Sequence, residues 1–297
     1  MIGIDWGTSS LRAYHLDAAG AVIARLETDQ GILKVPQGGF REVLRALIDP
    51  WLLGGETLVL LCGMVGSRQG WQEAPYLPCP AGPEEIAQAL TPLEFDGARC
   101  LLVPGLSTAD RAGAPDVMRG EETKLIGLLA ELGDAAAVAC LPGTHSKWAR
   151  LVGGRIAGFA THMTGEVRAT LLAHSILGRL AEPGEETPGT DLAFLRGVRR
   201  AREPGGLLHH LFGTRALGLM GRLAPADTDA YLSGLLIGHE VASALADGPL
   251  PGPVHLVGSE RLCRLYALAF GEAGLAHRPH DADLVAKGLA RIARSLG

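Results

Sequence analysis

Two short Gly-Thr segments in this chain have the residue types that bind phosphate groups. Gly7, Thr8 and Ser9 follow the apolar stretch IGIDW, and residues 143–144 (Gly-Thr) follow AVACLP. Glycine lets the backbone approach a phosphate closely, and N–H and hydroxyl groups donate to its oxygens. Asp5 ends the first apolar stretch, where its carboxylate suits a hydrated magnesium ion. Alone, D-x-G-T also fits an ordinary hairpin in which Asp5 caps a turn.

Both Gly-Thr segments lie in an internal repeat. Each stands between two strand candidates and is followed by a turn, at Gly20 or Gly154, and a third strand. The repeat predicts two related halves, and two unrelated hairpins are the alternative. Apolar periodicity predicts helices over 40–53, 121–132 and 261–273. The Pro- and Gly-rich residues 181–191 predict an exposed loop.

Composition excludes several classes of function. The chain has 297 residues, 47% hydrophobic and 20% charged, which is typical of a globular protein. A net charge of -5 without a basic run argues against a nucleic-acid partner. Five scattered cysteines without a C-x-x-C pair indicate reduced thiols in the cytoplasm. We see neither a membrane-spanning apolar segment nor a signal peptide, so we expect a soluble, non-exported protein without a membrane partner.

Other nucleotide-binding and hydrolytic motifs are absent from the sequence. The four lysines do not follow a glycine, which excludes a Walker A loop. No G-x-G-x-x-G follows the first strand, which lowers the expectation of a dinucleotide enzyme. The chain also lacks a G-x-S-x-G elbow and an H-E-x-x-H zinc helix.

Longer motifs resemble one enzyme family. They are IDWGTSSLRA, GMVGSRQGW, VMRGEETKLIG, LPGTHSKW, THMTGE, FGTRALGLMG and YLSGLLIGHE. In this order, from residue 2 to about residue 270, they resemble the 2-dehydro-3-deoxygalactonokinase family. The resemblance implies an α/β, two-lobed actin-like ATPase fold (ribonuclease H-like) with duplicated hairpin halves and a nucleotide cleft. It also implies transfer of the ATP γ-phosphate, with Mg²⁺, to the 6-hydroxyl of 2-dehydro-3-deoxy-D-galactonate in galactonate catabolism.

The resemblance also suggests a domain division and nucleotide-binding residues. We expect residues 1–108 to carry the first phosphate hairpin and part of the substrate pocket. Residues 109–297 would carry the second hairpin and the adenosine site. In the roles that the resemblance implies, Asp5 holds the hydrated magnesium ion, and Gly7, Thr8 and Ser9 hold the β- and γ-phosphates. The opposing phosphate loop and the adenosine turn are assigned to Gly143, Thr144, His145, Ser146, Lys147, Gly258 and Ser259.

Two of these assignments have structural alternatives. Lys147 either adds positive charge to the phosphate loop or is a solvated strand lysine. Gly258 and Ser259 also suit an ordinary strand-to-helix turn.

The catalytic base is expected at the start of the helix over 121–132. Related sugar kinases place a carboxylate there, and Glu121 fits that position better than Glu122. A helix N-terminus stabilises negative charge and keeps a glutamate ionised. The alternative is that both glutamates only favour the first turn. The superfamily usually has an aspartate as base, and Asp116 is the reserve candidate.

The resemblance implies a sugar-acid acceptor, whose carboxylate would require cationic recognition. Arginine suits this task. The candidates in or near the matching motifs are Arg12, Arg68, Arg119 and Arg168, with Ser67 beside them. Arg119 could instead pair with Glu121 or Glu122.

Trp71 and Glu166 complete the predicted substrate site. Trp71 is either a sugar-stacking wall or a core residue, and Glu166 either contacts a substrate hydroxyl or caps a helix. His277 and His280, near Asp281 and Asp283, are too loosely spaced to favour a metal site.

Rival functions stay open on the same fold. A sugar-sensing transcription regulator would need an N-terminal DNA-binding helix pair, for which a first strand at residue 2 leaves no room. A phosphate-ester or polyphosphate hydrolase, or a kinase for another 2-keto-3-deoxy acid, are the alternatives. The sequence leaves the oligomeric state open, with a homodimer as one alternative.

Overall fold

A computed structural model describes residues 1–182, 188–246, 248–281 and 283–296 of the chain. The strands are β1 (Ile2–Trp6), β2 (Leu11–Leu16), β3 (Val22–Thr28), β4 (Leu58–Cys62), β5 (Tyr76–Pro78), β6 (Thr91–Leu93), β7 (Arg99–Leu102), β8 (Gly105–Ala109), β9 (Pro115–Met118), β10 (Ala137–Leu141), β11 (Ser146–Val152), β12 (Arg155–His162), β13 (Val254–Leu256) and β14 (His277–Pro279). The helices are α1 (Phe40–Leu53), α2 (Pro83–Gln88), α3 (Glu121–Leu132), α4 (Thr164–His174), α5 (Pro188–Ala201), α6 (Gly206–Leu219), α7 (Thr228–Leu245), α8 (Glu260–Ala273) and α9 (Leu284–Arg294).

These elements confirm most of the local predictions. Helices α1 and α3 have the predicted bounds, and α8 begins one residue before the predicted Arg261. Of the expected loop over 181–191, residues 183–187 lie outside the described ranges, and α5 begins at Pro188. Within the described ranges, none of the helices combines the length and apolarity needed to cross a bilayer.

The chain divides into two compact units. Unit 1 comprises residues 1–136, 149–160 and 281–297, and unit 2 comprises residues 137–148 and 161–280. This division does not coincide with the expected boundary at residue 108, because α3 packs on the C-terminal helix α9. A Cβ atom built on Gly127 of α3 would lie 2.0 Å from the carbonyl oxygen of Leu284. The glycine therefore permits a backbone contact that draws α9 into unit 1.

The core sheet of unit 1 has the strand order β3-β2-β1-β4-β7-β6. β1, β4 and β7 are parallel, whereas β2 and β3 form an antiparallel extension. The parallel strands β1, β4 and β7 are largely apolar and buried, and Ile4, Leu61 and Leu102 are fully buried. A second sheet, of order β5-β8-β9, also belongs to this unit.

The second core sheet has the order β12-β11-β10-β13-β14, with β10, β13 and β14 parallel. β10, the first strand of this sheet along the chain, has the antiparallel hairpin β11–β12 on one side and the parallel strands β13 and β14 on the other. β1 has the same arrangement in the first sheet, between the hairpin β2–β3 and the parallel strands β4 and β7. This shared order confirms the duplication predicted from the Gly-Thr repeat and excludes two unrelated hairpins.

Candidate active site

The carboxyl ends of β1 and β4 bring Asp5 together with the start of α3. The two strands are parallel, so their carboxyl ends share one edge of the sheet. Gly63 follows β4 with φ of 94°, and a Cβ built on it would lie 2.8 Å from the Trp6 carbonyl oxygen and 3.4 Å from Oδ1 of Asp5. Gly120 precedes α3 with φ of 103°, and its Cβ position is 3.1 Å from the Gly63 Cα. Two glycines that tolerate positive φ therefore seat the α3 N-terminus beside Asp5.

Asp5 is partly accessible at this edge. Its side chain is 14% exposed, and its Oδ2 lies 3.4 Å from Nη1 of Arg12, its cross-strand neighbour. Arg12 also donates to Glu27 at 2.9 Å, so its charge is shared between two carboxylates. Because the contact between Arg12 and Asp5 is long, the Asp5 carboxylate keeps capacity to accept another ligand. A magnesium ion takes one or two carboxylates together with phosphate oxygens and water, and Asp5 fits that role.

Glu121 and Glu122 occupy different environments at the start of α3. Glu121 is partly buried and accepts a hydrogen bond from the Arg119 backbone N–H at 3.1 Å. Glu122 is fully buried and accepts from Gly120 N–H at 2.6 Å and from the Thr123 hydroxyl at 2.9 Å. Burial first, and then the charge of Glu121, raise the pKa of Glu122 to about 7. Asp116, the reserve candidate, accepts from the Val117 N–H at 2.7 Å in β9.

The first Gly-Thr hairpin presents exposed groups to solvent. Gly7 N–H donates to the Ser10 carbonyl at 2.9 Å, which closes the turn. The Gly7 carbonyl accepts from Ile32 N–H at 3.0 Å, so residues after β3 brace the hairpin. Thr8 and Ser9 are exposed. Their hydroxyls are therefore accessible to a ligand.

The second Gly-Thr hairpin is combined with the N-terminus of α4. A Cβ built on Gly165 would lie 2.6 Å from the Gly143 carbonyl oxygen, so only glycine permits this approach. Glu166 N–H donates to the Thr144 carbonyl at 3.1 Å, and the Glu166 carboxylate contacts the exposed His145 ring. A helix N-terminus with a glycine-rich turn favours anions.

Ser146 and Lys147 point away from the hairpin tip. Lys147 is 5% exposed, and its Nζ donates to Thr161 at 2.9 Å. Ser146 is fully buried, and its hydroxyl donates to Glu240 at 2.7 Å. Both side chains therefore stabilise the base of the loop in this structure.

Glu240 of α7 is a buried carboxylate with four side-chain partners. It accepts hydrogen bonds from Ser146, from Trp148 Nε1 at 2.8 Å, from the Tyr266 hydroxyl at 2.7 Å and from the Thr164 hydroxyl. Burial, with the Glu240 charge second, raises the pKa of Tyr266, which stays a protonated donor. Glu240 is not among the sequence-predicted site residues, although it ends the motif YLSGLLIGHE. A glutamate inside an apolar helix is the signal that could have identified it.

Unit 2 contains a pocket of about 260 Å³ beside the second hairpin. Gly143, Thr144, Thr164 and Gly165 line one end of it. Gly258 and the α8 N-cap Ser259, which accepts from Leu262 N–H at 3.4 Å, place α8 against the pocket. The remaining wall combines apolar and polar side chains of α4, α7 and α8: Leu236, Ile237, Leu262, Leu265, Arg168, Ser233, Arg261 and Tyr266. One end of the pocket suits phosphate groups, and the rest is mostly apolar. Together they suit a purine nucleotide.

The predicted substrate residues are distributed over both units. Trp71 packs in the core of unit 1 against Phe40 and Phe95. Arg168 lies in unit 2, where it pairs with Asp229 and donates to Ser233 at 2.8 Å. Arg68 is 86% exposed and pairs with Glu73 at 2.9 Å.

Arg119 and Ser67 are different, because both have polar atoms without partners. Within the described residues, Nε and Nη1 of Arg119 and Oγ of Ser67 are buried and make no hydrogen bond. The third guanidinium nitrogen, Nη2, donates to the Ala74 carbonyl at 2.7 Å. Buried unpaired donors are costly, so they point to a missing partner.

His277 and His280 do not form a metal cluster with their neighbours. Nε2 of His280 lies 2.7 Å from Nδ1 of His255, and His277 packs on Phe270. No group of three or more His, Cys, Asp or Glu side chains suited to a metal ion occurs in the part of the chain that the structure describes.

The model of the 2-keto-3-deoxy-galactonokinase family matches residues 5–292. The chain belongs to this family. It is 41% identical to a 2-dehydro-3-deoxygalactonokinase of Rhizobium meliloti (strain 1021) over 99% of this chain and 96% of that protein. It is 35% identical to the Escherichia coli (strain K12) enzyme of the same name, over 92% and 90% of the two chains.

Solved structures support the same family and its fold. A crystal structure from Sinorhizobium meliloti that carries the same kinase name superposes with a TM-score of 0.87 at 38% identity, over 99% and 97% of the two chains. Two structures at 10% and 14% identity share the fold alone, with TM-scores of 0.54 and 0.51. The fold is the α/β actin-like ATPase fold of sugar kinases, as the family resemblance implies.

Proposed function

We propose that this chain transfers the γ-phosphoryl group of ATP to the 6-hydroxyl of 2-dehydro-3-deoxy-D-galactonate, a step of galactonate catabolism. The family and its relatives support the substrate. Asp5 and the α3 glutamates lie together at one sheet edge. This arrangement supports phosphoryl transfer, because that reaction needs a metal-binding carboxylate and a base. The five cysteines are free, which fits the cytoplasmic location that we also propose.

The nucleotide-binding residues are proposed from the two hairpins and the pocket of unit 2. Thr8 and Ser9 bind phosphate oxygens through exposed donors of unit 1, and Gly7 closes the turn that presents them. Gly143, Thr144 and His145, with the α4 N-terminus, bind phosphates from unit 2, and Ser146 and Lys147 hold that loop in place. The apolar wall formed by Leu236, Ile237 and Leu262 receives the purine, while Gly258 and Ser259 position α8 along it.

Glu121 is proposed as the general base. It is the more accessible of the two glutamates, and it stands at the N-terminus of α3. Glu122 is turned into the protein and holds Gly120, so it positions the base rather than contacting the acceptor. Glu121 accepts the proton of the 6-hydroxyl as that oxygen attacks the γ-phosphorus and the bond to the ADP oxygen breaks.

Magnesium fits the acidic edge of unit 1. Asp5 would hold the ion through water, consistent with its partial exposure and its long contact to Arg12. The ion supplies charge neutralisation for the phosphate oxygens.

A coupled assay of ADP release over several six-carbon 2-keto-3-deoxy acids tests the proposal. We expect release that depends on the acceptor, with the galactonate derivative as the best substrate. Glu121→Gln should lower kcat by about 10²–10⁴-fold with unchanged ATP binding, and Asp5→Asn should fold but lose most activity. ADP release without any acceptor would indicate a hydrolase. Loss of chemistry in Glu122→Gln or Asp116→Asn, but not in Glu121→Gln, would contradict the assignment of the base.

A further inference from the structure

We infer that Arg119 and Ser67 form the anion site that binds the carboxylate of the acceptor. The inference rests on the proposed function and identifies which part of unit 1 recognises the substrate class. Four arginines in or near the matching motifs are candidates for this role, and the structure separates them by what their guanidinium groups already contact.

Three of the four arginines already contact a carboxylate. Arg12 contacts Asp5 and Glu27, Arg68 contacts Glu73, and Arg168 contacts Asp229. A second anion at these positions would compete with an existing ion pair. Among the described residues, the Arg119 guanidinium contacts no carboxylate, and two of its three nitrogens are unpaired.

The chain segment around Arg119 is built to hold its guanidinium in place. Nη2 donates to the Ala74 carbonyl, and Ala74 N–H donates to the Gly66 carbonyl at 2.9 Å, so residues 66–74 fold over the side chain. A Cβ built on Gly66 would lie 3.0 Å from Nη1. Glycine therefore lets the charged group lie directly against the backbone.

Ser67 supplies a further unpaired donor next in the chain to Gly66, whose backbone borders the guanidinium. It follows Gly66 directly, and its buried Oγ has no hydrogen-bond partner among the described residues. A carboxylate accepts several hydrogen bonds at once, so one anion would satisfy orphan donors from both side chains. Leaving these donors buried and unpaired costs stability, which the ligand would recover on binding.

The position of Arg119 suits a substrate that reacts at its far end. The residue stands two positions before Glu121, and its backbone N–H donates to the Glu121 carboxylate. An acceptor held by its carboxylate at one end would present its terminal hydroxyl away from that end. Residues 119–121 would thus both bind the substrate carboxylate and supply the base.

Tyr76 controls access to this site. Its ring lies over the guanidinium, with Cζ of Arg119 4.4 Å from the ring centroid, and the residue is 41% exposed. Because the unpaired atoms are buried, a carboxylate reaches them only after a side chain such as Tyr76 turns aside. Rotamer changes of this size commonly accompany ligand binding.

A pair of acceptors tests the inference. One is 2-dehydro-3-deoxy-D-galactonate, and the other is the same carbon chain with a C1 alcohol in place of the carboxylate. The measurement is the ratio of kcat/KM for the acid to kcat/KM for the alcohol. Arg119→Met keeps an unbranched side chain under Tyr76 and should lower this ratio about 10²–10³-fold, since charge-assisted hydrogen bonds are lost. Ser67→Ala should lower it about ten-fold.

Arg45→Met is the matched control. Arg45 also lies over an aromatic ring, that of Phe95, and donates to a backbone carbonyl, that of Asp96. It should leave the ratio unchanged. An equal loss of kcat/KM for both acceptors in Arg119→Met would overturn the inference, because it would indicate a structural role. If the wild type phosphorylates neither acceptor, the proposed function fails instead, so the two failures are distinguishable.

Discussion

Replacement of Glu240 tests whether one buried carboxylate organises the proposed nucleotide pocket of unit 2. Glu240→Gln keeps the shape of the side chain and removes its charge. Trp148 Nε1 can only donate, so the amide oxygen must stay on the side of Trp148 and Ser146. The amide NH₂ then faces the hydroxyls of Tyr266 and Thr164, which can rotate and accept.

The expected magnitude follows from these partners. Glu240→Gln loses charge assistance rather than whole hydrogen bonds, so we expect a destabilisation of about 1–3 kcal/mol. Glu240→Ala leaves several buried donors without an acceptor and should cost more, about 3–5 kcal/mol. Because Thr164 and Tyr266 line the pocket, both variants should also weaken ATP binding.

Urea unfolding followed by circular dichroism measures the stability, and calorimetric titration measures ATP affinity. Ser243→Ala, at an exposed position on the same helix, is the control and should change stability by about 0.5 kcal/mol or less. Equal stability of Glu240→Ala and Ser243→Ala would refute the reasoning. If Glu240→Gln is destabilised but binds ATP with unchanged affinity, Glu240 stabilises the core without organising the pocket.

Two further predictions concern unit 1. The pKa of Glu122 is raised from 4.5 to about 7, so its contribution to stability is complete below pH 4.5 and is lost as pH rises through 7. Glu122→Gln mimics the neutral form, so its unfolding free energy should rise by about 3 kcal/mol relative to that of the wild type as the pH goes from 4.5 to 7. Urea unfolding over this pH range measures the difference, and a difference that does not change with pH would contradict the prediction. Gly127→Ala should lower the unfolding free energy by about 1–3 kcal/mol or more, because the added Cβ would meet the Leu284 carbonyl. Gly271→Ala, in open space on α8, should be neutral or stabilising, and equal urea midpoints for the two glycine variants would show that α9 moves aside.

Much of the fold, and the hairpins of the candidate site, could be predicted from the sequence because their signals are local. The Gly-Thr repeat fixed two hairpins, and apolar periodicity fixed α1 and α3 to their observed bounds. The family resemblance, together with the predicted start of α3, pointed to Glu121 and Glu122. Turn chemistry and helix periodicity depend on neighbouring residues, so a single sequence contains this information.

The roles of individual charged side chains were decided by tertiary structure. Arg12, Arg68, Arg119 and Arg168 are equivalent by residue type, and only their distant partners distinguish them. The Glu240 cluster joins residues that are 94, 92 and 26 positions apart in sequence, and no local pattern encodes that meeting. Burial separates Glu121 from Glu122, which are adjacent in the chain. The sequence by itself determined the fold and the candidate residues, whereas long-range packing determined which of them are paired, buried or left with unpaired donors, because hydrogen bonding and desolvation depend on neighbours in space.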